Sequence, residues 1–114
     1  MVGMMAFRFI DQARVATAKS QIEVFSMALN AYYMDCRSYP SQTDGLAALW
    51  QKPADAPDTW SGPYVSKAIP LDPWGTPYVY VVPGPNNLPF QVISYGSDGK
   101  EGGDGYAKDI KSDE

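Results

Sequence analysis

Between Met4 and Cys36 the chain contains neither proline nor glycine. Within that run Ala18, Ile22, Phe25, Leu29, Tyr32 and Cys36 recur at spacings of four and three. Residues so spaced stack on one face of an α-helix, while Arg14, Lys19, Gln21 and Asn30 fall elsewhere on the wheel. At 1.5 Å per residue such a helix is roughly 50 Å long. A chain of 114 residues is too small to cover a rod of that length. The second half of the helix is therefore expected to carry the core. The first half, with Met4, Met5, Phe7, Phe9 and Ile10, is expected to project and to pack on another chain or lie near a membrane. Cys36 reads as a small buried apolar residue.

The rest of the chain supplies what the helix packs against. Tyr39-Pro40 ends the helix, because the residue before proline disfavours the α region. Thr43 is expected to cap a short helix from Asp44 to about Gln51, with Leu46, Leu49 and Trp50 as its apolar face. Residues 53–76 are broken by Pro53, Pro57, Gly62, Pro63, Pro70, Pro73 and Gly75, and read as a long loop pinned by Trp60, Tyr64 and Trp74. Asp72-Pro73-Trp74-Gly75 suits a type I turn. Residues 77–82 and 90–95 read as two strands joined by a turn at 83–87, which should pair antiparallel on the second half of the helix. The expected class is α+β in a single domain: helix 1–36, short helix and loop 37–76, hairpin 77–95, and a final loop and tail 96–114.

Composition removes several functions. Histidine is absent, which excludes imidazole-based triads and most transition-metal sites. One cysteine allows no disulfide within the chain and no zinc cluster. The net charge of −4, with no basic stripe, argues against nucleic acid. No phosphate-binding glycine motif and no pocket signature for a small-molecule substrate occurs. No stretch approaches the ~20 apolar residues that span a bilayer, and no signal peptide is visible.

Six of the 13 acidic residues lie in the last 17 positions, among Gly96, Gly99, Gly102, Gly103 and Gly105. Such a segment lacks the apolar side chains to offset an ordering cost of roughly 1–2 kcal/mol per residue. It is either a solvated acidic loop or a segment pinned by a hard cation such as calcium, which takes oxygen ligands on a flexible turn. A catalytic carboxylate pair is the third option. Asp98 and Asp109 stand eleven positions apart and could converge if the loop curls; Glu101 and Asp104 are further candidates. The EF-hand pattern is absent.

Taken together, residues 28–35 with Tyr39-Pro40, then Asp44-Gly45-Leu46-Ala47-Ala48-Leu49, Asp72-Pro73-Trp74-Gly75 and residues 94–103 ending in Asp109-Ile110 resemble the major pseudopilins of type II secretion systems. The similarity runs in order from residue 2 to 110. It implies a pilin-like fold, with a long helix packed on a small antiparallel sheet and a C-terminal calcium loop. It implies a subunit without catalysis, at the periplasmic face of the bacterial inner membrane. That subunit polymerises with copies of itself, and with other pseudopilins and inner-membrane assembly proteins, to help drive folded proteins out through the outer membrane. It implies calcium held by Asp98 and Asp109 side chains and by the Tyr95 and Lys100 carbonyls, with a further ligand near Ala107. Tyr95 stands where the family often has leucine. Family precursors also carry a basic leader, a glutamate at the fifth mature position and an apolar anchor, none of which is seen here. Val2-Gly3 resembles the sequence just after that anchor, so the chain is expected to be a soluble piece of an anchored protein.

Two other readings stand beside this one. A minor pseudopilin or type IV pilin would share the fold, although most type IV pilins use a C-terminal disulfide loop that one cysteine forbids. A small carboxylate hydrolase built on Asp72, Asp98 and Asp109 would need a substrate pocket.

Overall fold

The computed structural model describes residues 2–105 and 108–113, with side chains from Ile10 onward. One α-helix, α1, runs from Val2 to Cys36. At 35 residues it is about 52 Å long, nearly the 57 Å of the molecule's longest axis. The helix stops where Arg37 takes a φ of 61°, its N–H still donating to the Tyr33 carbonyl at 2.8 Å. Pro40 follows and forbids a restart.

Three antiparallel strands form one sheet in the order β1 (Val79–Val81), β2 (Gln91–Ser94), β3 (Ile110–Lys111). Tyr80 faces Val92 across β1 and β2, and Ser94 faces Ile110 across β2 and β3. The expected hairpin is present, shorter at its ends because Pro77 and Pro83 flank β1 without N–H groups for the ladder. Asn86 and Asn87 both take positive φ, 55° and 67°, and the Leu88 N–H donates to the Pro85 carbonyl at 3.0 Å. That is the primed turn whose twist suits a hairpin. The third strand was not anticipated: two residues are too few to show an alternating pattern.

The apolar stripe read from the sequence is the core. Ala18, Ile22, Phe25, Leu29, Tyr32 and Cys36 are all buried, and they meet Leu46, Leu49, Tyr78, Tyr80, Val92 and Ile110. Full burial of Leu29 and Leu49 stabilises by about 1.5–3 kcal/mol each. Phe25 and Tyr78 add an edge-to-face contact at 5.1 Å.

The expected short α-helix is instead a single 3-10 segment, Gly45–Leu49, and its cap differs from the one expected. Gly45 sits at φ 62°, so an α-helix cannot run through it. Asp44, not Thr43, stands at the cap position and caps with no side-chain hydrogen bond, while its own N–H donates to the Ser41 hydroxyl at 3.0 Å. Residues 53–76 form the expected loop without regular structure. The Trp60 indole donates to the Ala48 carbonyl at 3.0 Å, and the Tyr64 hydroxyl donates to the Asp35 carboxylate at 2.6 Å. The outer edge of β1 is covered by Gln42. Its side-chain amide donates to the Tyr80 carbonyl and accepts from the Val82 N–H, which removes unpaired edge groups.

Candidate functional site

The candidate site is the acidic, glycine-rich loop between β2 and β3. Its base is fixed by the sheet: β2 ends at Ser94, β3 begins at Ile110, and these two residues are partners in the ladder. The next positions outward, Tyr95 and Asp109, therefore stand together at the mouth of the loop. Pairing thus closes a long, apolar-poor excursion that could not order itself.

Each expected ligand residue has a definite place. Tyr95 is half-buried and precedes a 3-10 turn, Gly96–Asp98. Asp98 is exposed at the end of that turn, and its Oδ1 accepts from the Lys100 N–H at 3.1 Å. Lys100 is exposed. Asp109 is buried at 8% exposure, and both of its carboxylate oxygens share the Gly102 N–H at 3.1 Å. Ala107 lies outside the described residues.

The fold thus brings Tyr95 and Asp109 together, while Asp98 turns back on its own backbone. Among the described residues, no group of three or more histidine, cysteine or acidic side chains gathers. The oxygen donors on offer are the Asp98 and Asp109 carboxylates and backbone carbonyls, with Glu101 and Asp104 exposed on the same loop. Gly99, Gly102, Gly103 and Gly105 all take positive φ, between 60° and 102°. That backbone is open mostly to glycine, and it lets carbonyls turn inward as side chains cannot. Among the described residues the buried Asp109 carboxylate accepts from one N–H, so most of its lone pairs are open to a further partner. The donor chemistry suits a hard divalent cation, since no thiolate or imidazole competes.

Beneath the loop lies an anchor, Asp72, which the sequence places in a turn and offers as a hydrolase carboxylate. Asp72 is 4% exposed. Its Oδ1 accepts from the Trp74 N–H at 3.1 Å and the Thr76 N–H at 2.8 Å, and its backbone carbonyl accepts the Gly75 N–H at 2.9 Å. The expected type I turn is thereby formed and tightened. The Oδ2 accepts the Ser94 hydroxyl at 2.7 Å, and the Ser94 oxygen accepts the Gly96 N–H at 3.3 Å. With every hydrogen bond of the carboxylate spent on structure, Asp72 is no candidate acid or base. Ser94 was missed because its partner lies 22 residues away.

Three basic side chains, Lys19, Lys108 and Lys111, line a cavity of about 520 Å³ between α1 and β3. Its wall also carries Glu23. None of the described candidate ligand residues lines it.

Comparison with known proteins places this arrangement. The family model described as "Type II secretion system (T2SS), protein G" matches residues 6–113. The type II secretion system core protein G of Pseudomonas aeruginosa is 44% identical over 102 residues, covering 88% of this chain and 71% of that protein. The core protein G of Xanthomonas campestris is 34% identical over 111 residues, covering 97% of this chain and 74% of that one. The crystal structure of the major pseudopilin from the type 2 secretion system of enterohaemorrhagic Escherichia coli superposes with a TM-score of 0.70 at 30% identity. It covers 89% of this chain and 87% of that chain. The long helix on a small antiparallel sheet is thus the pseudopilin fold, and the chain belongs to the protein G family of type II secretion systems, the family of the major pseudopilin.

Proposed function

We propose that the chain is the repeating subunit of a type II secretion pseudopilus. It assembles with copies of itself, and with other pseudopilins and inner-membrane assembly proteins at the periplasmic face of the inner membrane, to help drive folded proteins out of the cell. The supporting observation is the helix. The core cluster begins at Val15 and Ala18, while Ile10, Gln12, Ala13 and Arg14 are exposed and α1 continues back to Val2. A helix that outruns its own domain leaves a rod to be covered by neighbouring copies, and a heterologous contact of that kind generates an open filament. No helix among the described residues is long and apolar enough to cross a membrane.

We further infer that the loop binds one calcium ion. Asp98 and Asp109 supply side-chain oxygens, Tyr95 and Lys100 supply backbone carbonyls, and the segment around Ala107 supplies one more. The buried Asp109 carboxylate, which among the described residues accepts from the Gly102 N–H alone, carries this reading. When bound, calcium neutralises that charge and holds the ends of the glycine-rich excursion; the protein residues do no chemistry beyond ligation. Relatives are named as core proteins of a secretion system, which accords with a structural role without catalysis.

The test is export. The chain is expressed behind a leader and anchor of the kind the family resemblance implies, in a bacterium deprived of its own protein G. It should restore cargo secretion and enter cell-surface fibres. A folded, anchored chain that does neither overturns the assembly reading.

A further inference from the structure

We propose that Asp72 and Ser94 are positioning residues for the cation loop: the turn at 72–76 is the platform that presets the loop's entry. The inference rests on the calcium reading above, and no hydrogen bond of either side chain reaches the ligands directly. Three contacts carry it. The Ser94 hydroxyl donates to the Asp72 Oδ2 at 2.7 Å, and the same oxygen accepts the Gly96 N–H at 3.3 Å. The Asp72 Oδ1 meanwhile holds the Thr76 N–H at 2.8 Å. Thr76 in turn stands close to the loop: a Cβ added at Gly99 would lie 3.1 Å from its Oγ1. The platform therefore holds the start of the Gly96–Asp98 turn by a hydrogen bond and lies beside its end.

Two of the four described ligands lie at that turn. Tyr95 lies between Ser94 and Gly96, so its carbonyl direction follows from the Ser94–Gly96 contact. Asp98 precedes Gly99, which passes close to Thr76. A site that is geometrically preset binds more tightly than one that is ordered only as the ion arrives, by the fraction of time it is competent. Both side chains are buried, Ser94 at 0% and Asp72 at 4% exposure, so water does not compete for these bonds.

Ser94→Ala removes the hydroxyl and leaves the Asp72 Oδ2 and the Gly96 N–H without this link. Asp72→Asn keeps the shape and alters the charge, and serves if Ser94→Ala folds poorly. Tyr80→Phe is the control, since it removes a buried hydrogen bond to the Pro40 carbonyl on the outer strand. Calcium affinity is measured by calorimetry with calcium chloride. Amide exchange of residues 96–102 is followed in chelator. Ser94→Ala is expected to weaken calcium binding about tenfold, the equivalent of one lost hydrogen bond. It should also speed exchange in the loop ahead of β1. Tyr80→Phe should lower the melting temperature and leave the affinity unchanged. If Ser94→Ala and Asp72→Asn bind calcium as the parent does, with loop exchange unchanged, the platform role is overturned while the calcium site stands. If the parent takes up no calcium, the calcium reading falls and this inference with it.

Discussion

Gly99 shows how much one residue can carry. It sits at φ 65°, where a Cβ costs about 1 kcal/mol or more, and that Cβ would also crowd Thr76. Gly75 shares the constraint at φ 87° but has open space around its Cα. Gly99→Ala is expected to destabilise by about 1–2 kcal/mol and Gly75→Ala by about 1 kcal/mol. Adding Thr76→Ala should relieve part of the first loss and none of the second. Denaturant melts of the two single and two double variants check this; equal losses in both backgrounds would show that crowding plays no part. The loop's glycines were legible in the sequence as a flexible segment. Which one is crowded was not, because the neighbour lies across the chain.

At the scale of elements, α1 presents two faces with opposite sensitivity. Leu29 is fully buried, whereas Met27 is 68% exposed and Met34 76% exposed. Leu29→Ala is expected to cost about 2–5 kcal/mol through lost transfer and a cavity. Met27→Ala and Met34→Ala should stay within about 0.5 kcal/mol in the isolated chain. Matching losses at the three positions, measured by urea unfolding, would mean the buried stripe is not the core. This helix was the most legible part of the sequence, since one apolar period repeats from Ala18 to Cys36 and no proline or glycine interrupts it. The short elements were less so. Gly45 looks tolerable inside a helix until its left-handed φ is known, and Thr43 is a good cap on paper although Asp44 takes that place. Strand β3 is defined by its partner Ser94 rather than by its own residues.

At the scale of the whole molecule, tyrosines rather than histidines set the response to pH. Burial pushes the Tyr32 phenol up to about 12, with the neighbouring Cys36 adding. Burial and then the hydrogen bond to Asp35 push Tyr64 up to about 12. Tyr78 and Tyr80 are raised further, again mainly by burial. An unfolded tyrosine loses its proton near 10, so above that pH the unfolded state binds fewer protons than the folded one. Stability from these groups is therefore full below about pH 10 and is lost as pH rises toward 12. Urea midpoints should fall between pH 10 and 11, and less steeply in Tyr80→Phe than in the parent. A flat midpoint across that interval would contradict the buried phenols.

The same scale decides the account's central claim, that a cation closes the loop between β2 and β3 and thereby completes the folded subunit. The direct measurement is a thermal melt with calcium and with chelator, on the parent, Asp98→Ala and Asp109→Asn. At a calcium concentration a hundredfold above its dissociation constant, linkage adds about 2.7 kcal/mol to the parent. For a domain of this size that corresponds to a rise of about 4–8 °C. Both variants should lose most of that rise. A parent that melts at the same temperature in calcium and in chelator would contradict the claim and leave the loop held by the β2–β3 pairing and its own hydrogen bonds.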